Sequence, residues 1–397
     1  MRKVLASLLA LLTCISVMAN DGAFYARGNQ LIPITNHDIS VKKEILTINR
    51  FGNYAYIDVY YEFYNPKDAT DVLMGFEAIG PSELMDYDTP QLYQLTSHPY
   101  IKGFTVEIND QPIDYQVHVV NTDSAYYQKG KFSAYTEKDA ETYSRPFFVY
   151  AFTAHFKKGI NIVHHQYGYT IGEQVELNYY LDYVLTAANR WANNQIDDFT
   201  LKINMGPSRS FFITNTFFNN EKDWSIEGSG KIGTIQKGFE EWEHDHLDFH
   251  IRDGKAVFHK QNFHPDGELY LFEYGCLYYY FQNFRYDGSE TEKEMREKEI
   301  RAWSDLNTMT GTYLDLDKNA AFFIKTWQDL GIRFSKKDAT LLKNLPFAYR
   351  GYVFKDKALQ NFFESTKWYV KNPDYKGDIV DFDTGELLWY YYFKNHE

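Results

Sequence analysis

Three observations predict an α+β chain of several domains. From Gly22 to about Gly275, apolar and polar residues alternate in short runs divided by turn clusters, the rhythm of an antiparallel β-sandwich region holding one or two sandwiches. Near residue 287 this rhythm gives way to a charged helical stretch, and from there to the end apolar residues recur at helical spacing, as in a small helical domain. Aromatic residues make up 18% of the chain, with 34 Tyr and 31 Phe, a surplus that favours strands over helical bundles.

The first element is "MRKVLASLLALLTCISVMAN": two cations at Arg2 and Lys3, an apolar run from Val4 to Val17, then small residues. That order predicts a secretory signal over residues 1–19, cut after Val17-Met18-Ala19. The run is short of the roughly 20 apolar residues that a spanning helix needs, and no second such run follows. "LLTC" loosely resembles a lipid-attachment motif at Cys14, although Thr13 is a poor residue before the cysteine and the cut would leave Ile15, Val17 and Met18 dangling. Loss of the signal removes two positive and no negative charges, taking the formal net charge from −13 to −15. So acidic a chain is unsuited to nucleic acid or an anionic membrane, both of which attract basic patches. Cys276 is then the sole thiol, so stability must come from core burial or bound ions rather than a disulfide.

Residues 20–190 are expected to form a first β-sandwich domain and residues 191–285 a second one or its continuation. "YAYIDVYYEFY" (54–64) alternates at a period of two, and "TVEINDQPIDYQVHVV" (105–120) does so around an Asn109-Asp110 turn. "PFFVYAFTAHFKKGINIVHHQYGYTI" reads as a hairpin with Lys157-Lys158-Gly159 at its tip. "DDFTLKINMG", "LDFHIRDGKAVFHK" and "ELYLFEY" supply the later strands, and "YVLTAANRWANN" between the two sets is either a short helix or a crossover. Residues 286–310 are expected to be a charged helical connector. It opens with a Ser289-x-x-Glu292 capping box, continues with i,i+4 pairs such as Glu292 with Arg296, and has Met295 and Trp303 as its buried contacts.

Residues 311–397 are expected to be a helical domain built on 319–331, 336–345 and 357–366. Leu341, Leu345, Ala348 and Tyr352 fall on one helical face, but Pro346 predicts a kink or a new helix beginning there. Gly351 suits a left-handed helix end, and Asp356 suits the N-cap of the next helix.

Residues 343–369, "KNLPFAYRGYVFKDKALQNFFESTKWY", resemble the YARHG domain, a small module of bacterial extracellular proteins. Asn344, Ala348, Gly351, Phe354, Leu359, Phe363, Trp368 and Tyr369 stand at that family's spacing. Phe347-Ala348-Tyr349-Arg350-Gly351 departs from the Tyr-Ala-Arg-His-Gly signature, with Phe for the Tyr, Tyr349 at the Arg and Arg350 at the His. The resemblance implies an extracytoplasmic setting and a cell-envelope role, with no established enzymatic activity, and it makes Trp368, Tyr369, Arg350 and Tyr349 candidate binding residues. "HDISVKKEILTI" followed by "AYIDVYYEFYNP" more faintly resembles secreted bacterial β-sandwich domains of unknown function, which implies a fold class and no activity.

The candidate metal site is "EHDHLDFH". On a strand, His244, His246, Asp248 and His250 point one way, and imidazoles two apart can share a zinc or copper ion with a carboxylate. In the simpler reading Leu247, Phe249 and Ile251 face the core and the histidine row is a solvated face. His164-His165 is weaker, since adjacent strand residues face opposite sides. "DLDKNAAFFIKT" and "DFDTGELLWYYY" fail as calcium loops: the first has Ala320 for the turn Gly and Thr326 for the last Glu, and the second has Gly385 one position early. A turn or helix cap explains both. "GSGKIG" (228–233) matches a dinucleotide fingerprint by letter, yet a glycine-rich hairpin is the simpler account, because no convincing helix follows it.

Sugar faces stack on exposed rings, and Trp191, Trp224, Trp242, Trp368 and Tyr369 are candidates to line such a site, although rings of this size more often fill a core. The resulting expectation is an exported, non-enzymatic envelope protein that binds peptidoglycan or another glycan and needs no cofactor. The rival expectations are a secreted hydrolase whose site, with or without zinc, assembles only in the fold, and a subunit of a surface assembly.

Overall fold

A computed structural model describes residues 27–34, 38–80, 95–121, 126–141, 146–172, 177–206, 210–237, 244–274, 316–329, 331 and 333–395. The expected signal, Cys14, Cys276, Trp242 and the connector with Ser289, Met295 and Trp303 lie outside these residues.

Among the described residues the chain is α+β, with two main sheets, one small and one large, and a two-stranded ribbon (Tyr127–Gln128 with Lys131–Phe132) in the first part and helices at the C-terminal end, as the alternation of the sequence predicts. The small sheet runs β1 (Arg27–Pro33), β4 (Thr70–Ile79), β10 (Pro146–Phe156) and β7 (Gln116–Asn121). In the large sheet β2 (Ser40–Phe51), β3 (Tyr54–Asn65), β11 (Gly159–Thr170) and β5 (Ile101–Ile108) lie side by side and antiparallel. The facing sides interlock through rings: Phe76 of β4 stacks on Phe104 of β5 at 4.8 Å, and Phe63 of β3 meets Phe156 of β10 edge-on at 5.7 Å.

Beyond β2 the large sheet continues through a parallel pairing with β13 (Ile196–Asn204) and then β16 (His246–Phe263), β14 (Ser210–Thr214), β17 (Leu269–Tyr274) and β12 (Leu177–Tyr183). One apolar core therefore extends from Leu31 to Leu271. The segment between the two sets of strands is a 3-10 helix at Thr186–Arg190. "GSGKIG" lies within β15 (Trp224–Gln236), which pairs along β16. Gly228 and Gly254 face each other across this ribbon at φ +125° and +98°. A Cβ on either would meet the opposing carbonyl oxygen at 2.2 or 1.9 Å, so the bend there requires glycine.

The run read as a hairpin tipped by Lys157-Lys158-Gly159 forms both strands but not their pairing. β10 pairs with β4 and β7, whereas β11 pairs with β3 and β5, so the chain crosses from one sheet to the other at residues 157–158. Alternation fixes which face of a strand is apolar and leaves the identity of its hydrogen-bonded neighbour open. Two buried asparagines hold this corner and the neighbouring one between β3 and β4. Asn161 accepts from Lys157 N at 3.0 Å and Asn109 Nδ2 at 3.1 Å, and donates to Lys157 O at 2.8 Å and Gly159 O at 3.1 Å. Asn65 donates to Asp68 O and Phe156 O and accepts from Lys67 N.

The C-terminal part has its own apolar core, in which Trp327 and Trp389 are fully buried with ring centroids 5.4 Å apart. Its helices are Leu316–Asp329, Lys336–Lys343, Leu345–Tyr349, Lys357–Ser365 and Thr384–Lys394. Pro346 lies in the first turn of a new helix, where its missing N–H has no intrahelical partner to lose. Gly351 is left-handed at φ +77°, and the Asp356 carboxylate accepts from Ala358 N and Leu359 N. "DFDTGELLWYYY" is a helix start, with Asp383 and Glu386 forming a capping box.

Replacing Asn161 with Ala is expected to leave the peptide groups of the corner unsatisfied and to lower unfolding free energy by about 2–4 kcal/mol, from the loss of several hydrogen bonds at a fully buried site. Denaturant titration measures this. A change within about 0.5 kcal/mol would contradict the role given to the side chain.

Candidate functional site

The sequence-predicted metal row and one of the predicted binding residues, Trp368, meet at a seam between the β body and the C-terminal helices. β16 starts at His246, so His244 precedes the strand and is exposed. Leu247, Phe249 and Ile251 face the core, as expected, but the opposite row is not solvated: His246 and His250 are 1% and 5% exposed. His250 Nδ1 lies 2.7 Å from Ser210 Oγ, and its ring is 6.1 Å from that of Trp368. Asp248 accepts from Gln236 Nε2 at 2.7 Å, and burial pushes its carboxyl up to about 6 although Lys367 works against the shift. His246 packs edge-on against Phe212, its Nε2 lies 3.8 Å from Asp248 Oδ1, and burial lowers its pKa. Lys231 Nζ donates to Thr366 O across the same seam at 3.1 Å. Among the described residues no group of three or more His, Cys, Asp or Glu is arranged to hold a metal ion.

The four candidate binding residues of the helical part are built into its frame. Trp368 and Tyr369 are each 2% exposed, and Tyr349 packs edge-on to Trp368 at 4.9 Å. The Tyr369 hydroxyl donates to Tyr352 O at 2.7 Å. Arg350 forms a fork on Glu386 through two contacts of 2.6 Å, also donates to Pro346 O and Asp381 O, and lies over the Phe382 ring. In place of an imidazole, this chain thus has a cation that ties the short helix to the capping box of the last helix. Trp191 and Trp224, candidates for sugar stacking, are buried in the sandwich core.

A row of exposed rings lies elsewhere, on the outer side of β3. Ala55, Ile57, Val59, Tyr61 and Phe63 point into the core, which turns Tyr54, Tyr56, Asp58, Tyr60, Glu62 and Tyr64 outward. Tyr54 is 53% exposed, and Tyr56 and Tyr64 are each 39% exposed. At a rise of about 3.4 Å per residue, the row spans about 34 Å. Polar groups sit between the rings. His164 of β11 bridges Asp58 at 3.0 Å and Glu107 at 3.2 Å, Gln166 donates to Asp58 at 2.5 Å, and the Tyr60 hydroxyl donates to Glu62 at 3.1 Å. Burial opposes the charge on His164, but the two carboxylates outweigh it and raise its pKa. The next residue, His165, points inward among Tyr61, Phe76, Phe104 and Tyr167, where burial lowers its pKa to about 3. The alternation of 54–64 already held the tyrosine row, but nothing in it marked the exposed rings as more informative than the tryptophans.

A second group is invisible in the sequence. A β-bulge between Val41 and Lys43 of β2 returns Glu44 to the core-facing side, opposite Tyr61. The hydroxyls of Tyr61 and Tyr183 lie with the Glu44 carboxyl beside a cavity on the scale of one water molecule, also lined by Leu31, Leu185 and Trp191. Burial raises the Glu44 carboxyl from 4.5 to about 8 despite the Tyr61 hydrogen bond. Between these values the folded state keeps a proton that the unfolded state releases, so Glu44 lowers stability as pH rises from 4.5 to about 8. Relative to wild type, Glu44→Gln is expected to gain stability across this window, with a slope approaching about 1.4 kcal/mol per pH unit. Paired denaturation curves at several pH values measure it, and a flat difference would refute the buried-acid assignment.

Comparisons with known proteins place these sites in context. None of the curated proteins compared with the chain matches it. Among solved structures, a Legionella pneumophila protein described as a proposed nutrient binding protein is similar at 18% identity and a TM-score of 0.48, over 95% of this chain and 100% of that one. At the C-terminal end, residues 326–396 match the YARHG domain, so the helical part that carries Arg350, Trp368 and Tyr369 is a YARHG domain.

Proposed function

We propose that this chain is an exported, non-enzymatic cell-envelope protein that binds a glycan, peptidoglycan being the foremost candidate, on the outer face of β3. The observation that carries this reading is the row of exposed tyrosines at two-residue spacing with carboxylate, amide and imidazole groups between them. Sugar rings present apolar faces that pack on phenol rings and hydroxyls that need both donors and acceptors, and this surface offers all three. Supporting it are the signal-like first 19 residues and the YARHG domain, while no helix among the described residues is long and apolar enough to cross a membrane. On this reading Arg350, Tyr349, Trp368 and Tyr369 serve binding indirectly, by holding the shape of the YARHG domain and its seam with the β body.

The test is co-sedimentation of residues 20–397 with purified peptidoglycan sacculi, alongside the Tyr56→Ala/Tyr60→Ala double variant. The wild-type protein is expected to pellet, and the variant to need at least about tenfold more sacculi, the equivalent of about 1.4 kcal/mol. A protein that stays in the supernatant, or a variant that pellets equally, would contradict the proposal.

A further inference from the structure

The charges on the tyrosine face are arranged against one another. Asp58 and Glu107 close on His164 from two strands, and Gln166 takes a second oxygen of Asp58. Towards β13 and β16, Lys43 pairs with Asp198 at 3.6 Å, His259 lies 2.8 Å from the same carboxylate, and Lys202 lies 3.3 Å from Glu227. Among the described residues, Lys102 and Glu62 are charges of this face with no ion pair, and they have opposite signs. Although the chain is strongly acidic, this face therefore projects little net field. Its binding chemistry is aromatic area together with oriented hydrogen-bonding groups.

We infer that the ligand of this face is an extended, uncharged glycan chain, recognised by its ring faces and hydroxyls, and not an anionic or cationic polymer. The inference rests on the glycan reading above and adds the charge class of the ligand. A carboxylate-bearing chain laid along Tyr54 to Tyr64 would be brought against Glu62, Asp58 and Glu107. An ammonium-bearing chain would have to compete with His164 for Asp58 and Glu107, would find in Glu62 a single carboxylate without an ion pair, and would be brought against Lys102. A neutral chain disturbs neither arrangement. In a peptidoglycan this assigns the contact to the sugar backbone rather than to its ionised peptides.

The experiment is calorimetric titration of residues 20–397 with three hexasaccharides at about pH 6: N-acetylglucosamine (neutral), its de-acetylated counterpart (cationic) and galacturonate (anionic). The neutral hexamer is expected to bind at least about tenfold more tightly than either charged one, with an affinity that changes less than about twofold between low and high salt. His164→Gln removes the cation between Asp58 and Glu107, and the variant is expected to gain affinity for the cationic hexamer relative to the neutral one. Tighter binding of a charged hexamer by the wild-type protein, or a neutral-to-cationic affinity ratio in His164→Gln equal to that of the wild type, would overturn the inference while leaving the glycan reading in place. Failure of all three to bind, with sacculi binding still dependent on Tyr56 and Tyr60, would overturn the uncharged-glycan inference. Failure with no such dependence would overturn the glycan reading itself.

Discussion

The pleat of β3 sends alternate residues to opposite faces, and both halves of the molecule's behaviour depend on that division. Inward, Val59, Tyr61 and Phe63 form part of the wall on which the small sheet packs, with Phe63 reaching Phe156 and Trp191. Outward, the same eleven-residue run presents tyrosines and acids in a regular row. A one-residue slip of register would place Asp58 and Glu62 in the core and Val59 and Phe63 in water, so the apolar packing that stabilises the sandwich also fixes the position of every exposed ring. The asparagine corners at 65 and 161 end β3 and start β11, which keeps His164 and Gln166 level with Tyr60 and Asp58.

The β body and the YARHG domain are joined by side chains that sequence analysis assigned to two separate functions. The histidine row of β16 and the Trp368 region pack on each other, with Lys231 donating to a backbone oxygen of the helical domain. His250 meets Trp368 across this seam, while His246 is buried against Phe212 and Phe272 of the β body, and burial raises the Asp248 carboxyl beside it. Within the domain, the Arg350–Glu386 fork does for the short helix what an apolar contact cannot: it fixes an angle as well as a distance.

Much of this was legible in the residues. Strand 54–64, the Asn109-Asp110 turn with both residues at positive φ, the helix start at Pro346, and the caps at Gly351 and Asp356 all follow from local stereochemistry. What was not legible depends on partners distant in sequence. The β10–β11 connection is a sheet crossing because Phe156 and Val163 line opposite walls of the sandwich, and period-two alternation is the same for either pairing. The partner of His250 on this side of β16 is Trp368, about 120 residues downstream, and those of His246 are Phe212 and Phe272 of other strands. Glu44 lies in a run of lysines and reads as surface until the bulge beside it is known. Trp191, Trp224 and Trp368 drew attention as candidate sugar platforms because of their size, and that size is the reason the folded chain buries them.

The measurement that bears most directly on the central claim is hydroxyl-radical footprinting of the chain with and without peptidoglycan sacculi, read at individual tyrosines. The account predicts protection of Tyr54, Tyr56, Tyr60 and Tyr64 on binding, with Tyr391 on the exposed side of the last helix unchanged. Protection of Tyr391 with the β3 row unchanged would contradict it and would move the ligand to the YARHG domain.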